Sequence, residues 1–167
     1  MEPTIVEQPQ LILLGFSFFG DPFAMAGGWS EENEIGRLWA RFMAYLDRNR
    51  VRIRHAKPDA VMYEVHIMHQ ETQRTGEFEV FVGLEVTQIE GAPLDTSIKV
   101  LPAAAYAVFT LRGEQIVSDW IWLIGEWLSQ AGLESDWNHS IQRYDERFKG
   151  LQRIQESVLD VYIPLKS

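Results

Sequence analysis

Cysteine is absent from the 167-residue sequence. Its absence excludes disulfide bonds, thiolate metal sites, iron–sulfur clusters and cysteine nucleophiles, although it does not identify the cellular compartment. Long apolar runs are also absent, since none approaches the roughly 20 residues that span a bilayer. The N-terminal segment MEPTIVEQPQ lacks the cationic start and apolar core of a secretory signal. We therefore predict a cytoplasmic protein without a membrane-spanning segment.

Positive charge is scarce, with 15 Lys and Arg against 24 Asp and Glu, which gives a net charge of −9. Nucleic-acid binding needs clustered Lys and Arg that face phosphates, so this balance argues against a direct nucleic-acid partner. One basic segment runs from Arg48 to Lys57, and we interpret it as a solvated helix end and loop. We expect neither nucleic acid nor a membrane as a partner.

The usual sequence motifs of catalysis are missing too. The chain has no Gly-rich phosphate loop, no HExxH and no GxSxG. Glu64, His66 and His69 lie close in sequence, but in a strand the first two share one face and His69 takes the other. We therefore predict no metal, no cofactor and no catalytic residue, and a binding module is favoured over an enzyme.

Apolar residues make up 46% of the chain and aromatic residues 12%, enough for one domain spanning residues 1–167. Three of the six tryptophans fall in a predicted helix from Ile116 to Ala131. Helical spacing predicts a buried stripe and places Trp122 opposite its centre, so Trp122 is expected to be partly exposed. The stripe comprises Val117, Trp120, Ile121, Ile124, Trp127, Leu128 and Ala131.

The order of elements repeats along the chain. The first unit, about residues 10–90, has a predicted strand (10–19), a helix capped by Ser30 and ending near Asn49, and strands over 60–68 and 77–89. The cluster EGAPLDTS separates it from the second unit, about 100–167, with strands over 103–112, 140–148 and 157–165 around the tryptophan helix. Gly15 indicates a bulge or a close backbone approach. The pattern predicts an α+β fold of two β-α-β-β units with a cleft between them.

Six sequence runs, in order, resemble the gyrase-inhibitor-like (GyrI-like) effector-binding domain. This domain is the small-molecule sensor half of several multidrug-responsive transcription activators, and it also occurs alone, including among integron-associated proteins. The resemblance covers nearly the whole chain. The runs are LWARF, FEVFVGLEV, LPAAAYAVFTLRG, WLIGEWLSQAG, IQRYDERF and LDVYIPL.

The resemblance implies a pseudo-twofold arrangement with antiparallel sheets, helices on one side, and a hydrophobic pocket for bulky, often cationic, aromatic compounds. In that family a pocket glutamate pairs with the ligand's charge, and this sequence has Gln142 at the matching position. Gln142 carries no charge, so neutral or polar aromatic ligands become more plausible than the family default. Glu85 and Asp160 are the candidates to supply the missing charge, and Asp160 shares a strand face with Tyr162.

The aromatic side chains assigned to the pocket stack on flat ligands or hold a cation over their rings. Together with Glu85, Gln142 and Asp160 they form the predicted ligand-binding set. The aromatic members are Trp39, Tyr63, Phe81, Tyr106, Trp127, Tyr144 and Tyr162.

The resemblance favours a stand-alone protein that binds or senses a hydrophobic aromatic small molecule. One alternative is a hydrolase that opens reactive electrophilic ligands, with Glu85 or Asp160 as general base. Another is a protein–protein inhibitor of gyrase type, which the acidic surface would permit. A separate regulator is a possible partner, as is a second copy that pairs through Trp122 or a strand edge.

Overall fold

In the computed structural model, which describes residues 2–166, eight strands form one antiparallel sheet. Three α-helices and three short 3-10 segments, Arg50–Arg52, Gly113–Gln115 and Leu151–Glu156, connect them. The helices are α1 (Glu34–Asn49), α2 (Thr72–Thr75) and α3 (Trp120–Gln130). The strands are β1 (Thr4–Gln8), β2 (Leu11–Gly20), β3 (Met62–Ile67), β4 (Phe78–Glu85), β5 (Ser97–Leu101), β6 (Ala104–Arg112), β7 (His139–Tyr144) and β8 (Val158–Pro164).

The strand order, β1-β6-β8-β7-β3-β4-β2-β5, is symmetric about its centre. Moving outward from the middle, β3-β4-β2 on one side matches β7-β8-β6 on the other. The two β-α-β-β units are therefore β2-α1-β3-β4 and β6-α3-β7-β8, which confirms the doubled arrangement predicted from the sequence. They join along β3 and β7, where Glu64 lies directly opposite Gln142.

Helix α1 covers the first unit with Leu38, Phe42 and Leu46, which repeat every four residues and are fully buried. Asn33 caps it by accepting a bond from the Gly36 amide at 3.0 Å, while its own side-chain amide donates to the Gly28 carbonyl at 2.8 Å. The predicted cap at Ser30 is wrong by one turn. A Ser hydroxyl and an Asn side chain both satisfy helix N-termini, and the buried Asn33 also anchors the preceding loop.

Helix α3 covers the second unit with a narrower stripe than predicted. Trp120, Ile124 and Leu128 are buried, but Ile121 is 54% exposed. The reason is that Ile121 faces the space between the two units and not the sheet beneath α3. Trp122 is 61% exposed, as expected from its position opposite the stripe.

Two outer strands, β1 and β5, were not predicted. Each is five residues long and mostly exposed or half-buried, so neither shows clear alternation; pairing with β6 and with β2 creates them. The strand predicted over 140–148 stops at Tyr144, because Asp145 accepts the Arg147 amide in a tight turn. Gly15 does mark a close approach, since a Cβ there would lie 1.9 Å from the Val82 carbonyl oxygen.

Both faces of the sheet are buried. The helices cover one face, where separate apolar clusters lie under α1 and under α3. On the other face a third cluster draws residues from both units, including Leu13, Val65, Phe81, Tyr106 and Ile141. No helix within residues 2–166 is both long enough and apolar enough to cross a membrane.

Candidate functional site

A cavity of about 1300 Å³ lies between α1 and the start of α3, above the central strands β3 and β7. Its position matches the predicted cleft between the units. Side chains from both helices, both strands and the loop before α1 line it. They include Phe23, Trp29, Ile35, Trp39, Met43, Met62, Glu64, His66, Phe78, Val117, Trp120, Ile121, Gln142, Tyr144 and Phe148.

Strand alternation fixes the floor of the cavity. Met62, Glu64 and His66 of β3 point to the helix-covered face, as do Gln142 and Tyr144 of β7. Antiparallel pairing then sets Glu64 against Gln142 and Met62 against Tyr144. Glu64 and Gln142 thus meet at the centre of the floor, with the polar groups of His66 and Tyr144 beside them and apolar and aromatic side chains around them.

The Glu64 carboxylate is 4% exposed and is the centre of a hydrogen-bonded cluster. Oε2 accepts the Trp39 indole N–H at 2.6 Å, and Oε1 lies 2.6 Å from His66 Nε2. Longer contacts reach the Gln142 amide nitrogen at 3.4 Å and the Tyr144 hydroxyl at 3.5 Å. Each carboxylate oxygen therefore has one short and one long contact, which offsets the cost of burying a charge.

Tyr144 is a further polar group of the floor. Its hydroxyl donates to Gln142 Oε1 at 2.9 Å. Burial raises the pKa of Tyr144 well above its ordinary value, and the neighbouring Glu64 adds to that effect. Tyr144 therefore remains a neutral hydrogen-bond donor throughout the physiological pH range.

The charged side chains that line the cavity, apart from His66, are all acidic. Glu31, Glu64, Asp119 and Asp145 line it, and among the described lining residues there is no Lys or Arg. Hydrogen bonding to Arg147 lowers the pKa of Asp145 to about 2, so this group stays ionised near neutral pH. Arg143 and Arg147 balance the charge of Asp145. Glu64 is the buried carboxylate at the centre of the cavity floor, and His66 is the basic side chain that contacts it.

Aromatic rings form the wall beside Glu64. Trp39 meets Tyr144 edge to face at 5.2 Å between centroids, and Tyr144 meets Phe148 in the same way at 4.8 Å. Trp29, from the loop before α1, adds a tilted contact with Phe148 at 6.4 Å. The loop thus contributes one ring to the wall of the cavity. The rings of this wall can contact a flat or bulky guest.

The structure brings three of the ten predicted ligand-binding residues to the cavity, namely Trp39, Gln142 and Tyr144. Trp127 instead packs edge to face on Phe109, with 5.7 Å between the ring centroids, at the margin of the core beneath α3. The remaining six lie on the other face of the sheet: Tyr63, Phe81, Glu85, Tyr106, Asp160 and Tyr162. Contact of any of the ten with a ligand stays a prediction.

The two carboxylates proposed to replace the family's glutamate are engaged elsewhere. Glu85 pairs with Lys57 at 2.7 Å. Asp160 accepts the Thr110 hydroxyl at 2.7 Å and pairs with Arg147. Asp160 does share a strand face with Tyr162, as expected, but neither carboxylate lines the cavity.

Sequence reasoning considered Glu64 and His66 only as metal ligands. Within residues 2–166 no group of three or more potential ligands is placed to hold a metal ion, and His69 instead packs against Phe19. The alternation of Met62, Glu64 and His66 was a visible signal for a shared face. What the sequence could not give was the pairing of β3 with β7, which places Glu64 beside Gln142.

Comparison with known proteins agrees with this architecture. A family model described as the GyrI-like small molecule binding domain matches residues 1–166. The transcriptional regulator BrlR of Pseudomonas aeruginosa is 31% identical over 169 residues, which cover 99% of this chain and 56% of the regulator. The chain thus spans little more than half the length of that relative.

Solved structures share the fold at low sequence identity. SAV2435 bound to tetraphenylphosphonium superposes with a TM-score of 0.70 at 14% identity, covering 100% of this chain and 95% of that one. The EcmrR C-terminal domain gives 0.64 at 12% identity, with coverages of 99% and 98%. A hydrolase encoded by lin2189 from Listeria innocua gives 0.55 at 11%, with coverages of 99% and 92%. With the family match over nearly its full length, this chain belongs to the GyrI-like small-molecule-binding domain family.

Proposed function

We propose that this domain binds bulky aromatic cations in the cavity between α1 and α3, and that Glu64 supplies the attracting charge. The observation that carries the proposal is a buried carboxylate at the centre of an aromatic enclosure whose described lining contains no Lys or Arg. A cation placed there recovers part of the free energy lost when Glu64 was removed from water. The tetraphenylphosphonium bound to SAV2435 supports this ligand class by analogy of fold.

The neutral side chain of Gln142, considered alone, favours neutral ligands. The carboxylate of Glu64 in the same cavity favours cationic ligands instead. The two residues are directly opposed in the β3–β7 ladder, so a carboxylate on either strand acts on nearly the same space. In this chain the first unit provides the charge, and the second provides the amide and the phenol. A cationic ligand is therefore compatible with the loss of the family's usual acid at position 142.

The preferred cations carry delocalised or shielded charge and few N–H groups. Trp39 and His66 already occupy the short hydrogen-bonding positions of the two Glu64 oxygens. A ligand therefore gains from charge attraction and from contact with rings, and less from new hydrogen bonds. Cation–π contact contributes about 0.5 to 2 kcal/mol, depending on desolvation.

Binding is favoured over hydrolysis by the same contacts. A general base needs a free lone pair within reach of a water molecule, and each Glu64 oxygen already has one short and one longer hydrogen-bond contact. Glu85 and Asp160, the earlier candidates for a base, do not line the cavity. We infer a sensing or sequestering role like that of a regulator's ligand-binding part; a regulator partner, a second copy or a gyrase-type target remains a proposal.

Two probes of nearly equal shape and opposite charge test the proposal. By calorimetry in sodium buffer we expect tetraphenylphosphonium to bind with a Kd on the order of micromolar, and tetraphenylborate to bind at least about tenfold more weakly. Glu64→Gln should reduce that cation preference by about tenfold, a loss of about 1.4 kcal/mol. Glu85→Gln is the matched control, because it removes a carboxylate on the other face of the sheet.

The cation preference of Glu85→Gln should equal that of the unaltered protein. Circular dichroism establishes that both variants are folded. If Glu64→Gln retains the full preference for phosphonium over borate, Glu64 does not provide the attraction and the proposal fails. Incubation with a reactive ester, followed by mass spectrometry, would reveal turnover and would favour the hydrolase alternative.

A further inference from the structure

A second, smaller cavity lies under the same central strands but on the opposite face of the sheet. Its volume is about 130 Å³, and it opens between β1, β2, β3, β7 and β8. The lining residues are Gln8, Leu11, Tyr63, Ile141, Arg143 and Tyr162. No residue lines both cavities, so the two are separated by the backbone of the sheet.

Hydrogen-bond donors are concentrated in this small space. Arg143 makes one ion pair, from Nη1 to Asp145 Oδ2 at 2.5 Å, which leaves most of its five N–H groups for other partners. Arg143 also acts as a hydrogen-bond donor toward the Tyr63 oxygen, and the hydroxyl-bearing side chains of Tyr63 and Tyr162 both line the cavity. The cavity therefore brings together a guanidinium, two phenolic hydroxyls and the Gln8 amide, with no carboxylate among its described lining residues.

The protonation states suit an acceptor-bearing guest. Burial raises the pKa of Tyr63 to about 12, and it also raises the pKa of Tyr162. Burial is the largest influence on the pKa of Arg143 and lowers it, but the hydrogen bond that Arg143 donates to Asp145, together with the electrostatic effects of Asp145, Tyr63 and Tyr162, makes the net shift upward. All three groups consequently keep their protons near neutral pH, and Arg143 keeps its charge.

The neighbouring carboxylates do not depend on Arg143 alone. Arg147 pairs with Asp145 at 2.8 Å, so Asp145 has a second cationic partner besides Arg143. Arg147 also pairs with Asp160. Glu85 lies on the same face of the sheet and contributes to the raised pKa of Tyr63, and it forms an ion pair with Lys57. An anion that draws on Arg143 therefore leaves no buried carboxylate unpaired, which would otherwise be costly.

We propose that this cavity is a second ligand site, for a compact oxyanion such as a short-chain carboxylate. Its volume equals about four water molecules at roughly 30 Å³ each, which is too small for the aromatic guests of the larger cavity. A planar carboxylate matches the fork of a guanidinium, and the two tyrosine hydroxyls complete its hydrogen bonding. The proposal is independent of the function assigned to the larger cavity.

The test is an acetate titration followed by amide NMR at constant ionic strength, with sodium chloride as the balancing salt. We expect saturable shifts of the Ile141 and Arg143 amides with a Kd on the order of millimolar, as few contacts supply. Arg143→Gln should weaken acetate binding by at least about tenfold, the loss of a charge-assisted pair. Tyr63→Phe and Tyr162→Phe should each weaken it by about fivefold, the loss of one neutral donor.

Arg52→Gln is the matched control, because it removes an arginine that pairs with one exposed aspartate, Asp95, outside the cavity. It should leave the acetate Kd unchanged. The two Tyr→Phe variants preserve packing, so they remain informative if Arg143→Gln folds poorly. Shifts that grow linearly with acetate, that appear equally in chloride, or that persist in all three site variants would show a water-filled cavity only and would overturn the proposal.

Discussion

The two units of this domain share an architecture and differ in the chemistry that they bring to the cavity. The first unit contributes the Glu64 carboxylate and the His66 imidazole through β3, while the second contributes Gln142 and Tyr144 through β7. These four side chains meet because the two strands pair at the centre of the sheet. A doubled scaffold therefore does not require doubled function, and of the two central strands it is β3 that brings a carboxylate to the floor of the cavity.

The largest effect should come from emptying the core of one unit. Phe42→Ala removes a fully buried ring under α1 and should lower the free energy of unfolding by about 3 to 5 kcal/mol. Because one sheet joins both units, urea should still unfold the domain in a single transition. Tryptophan fluorescence, which includes Trp120 and Trp127 of the second unit, should follow the same curve as far-ultraviolet circular dichroism.

Two separate transitions in Phe42→Ala would mean that the units are stable independently and that the comparison between them concerns two domains. Met43→Ala is the matched control, since Met43 lies on α1 but is 43% exposed. It should change the free energy of unfolding by less than about 1 kcal/mol.

An intermediate effect should follow from giving both units a carboxylate. Gln142→Glu places a second acid within a few ångströms of Glu64, so the pair holds a proton to a higher pH than an isolated carboxyl group does. The folded-state pKa of one member is then raised above its unfolded value, and stability falls as the pH rises. We expect a loss of about 1 to 3 kcal/mol at pH 8 that shrinks at pH 5.

Urea denaturation at the two pH values measures the difference, and the unaltered protein supplies the baseline at each. A loss that is the same at pH 5 and pH 8 would show that the two carboxylates do not interact. In the presence of tetraphenylphosphonium the loss at pH 8 should be smaller, because a bound cation offsets the repulsion.

The smallest effect should come from exchanging the two residues. Glu64→Gln combined with Gln142→Glu moves the charge to the other central strand without changing its amount. We expect the preference for tetraphenylphosphonium over tetraphenylborate to return to within about threefold of the original value, a difference below about 1 kcal/mol. Calorimetry on the double variant and on each single variant completes the cycle.

A double variant that discriminates no better than Glu64→Gln alone would show that the units are not interchangeable. The contacts of Trp39 and His66 with Glu64 would then be the reason, since these two donors lie on the first unit's side.

Local patterns predicted the architecture well. Helical and strand periodicity identified both β-α-β-β units, and Gly15 was correctly associated with a close backbone approach. The outer strands β1 and β5 escaped notice because they exist through pairing with β6 and β2, which short exposed segments do not reveal. The width of the α3 stripe was overestimated because an apolar residue that lines a cavity has the same periodicity as one that packs in the core.

The floor of the site was harder to predict than the fold. Alternation separates the two faces of a strand, but both faces of this sheet are buried, so apolar and aromatic residues occur on each. By sequence pattern, Tyr63 and Phe81 are therefore as good candidates for the cavity lining as Met62 and Tyr144. They lie, however, on the face of the sheet opposite the cavity. Glu64 became recognisable only through its register with Gln142, which depends on long-range strand pairing.

Strand β7 supplies both cavities in turn: Gln142 and Tyr144 reach the large one, and Ile141 and Arg143 the small one. Insertion or deletion of a single residue at the start of this strand would turn the side chains that follow it to the opposite faces of the sheet. An arginine would then line the cavity proposed for the aromatic cation, and an amide the cavity proposed for the oxyanion. We therefore expect this strand to tolerate substitution more readily than a change in its length.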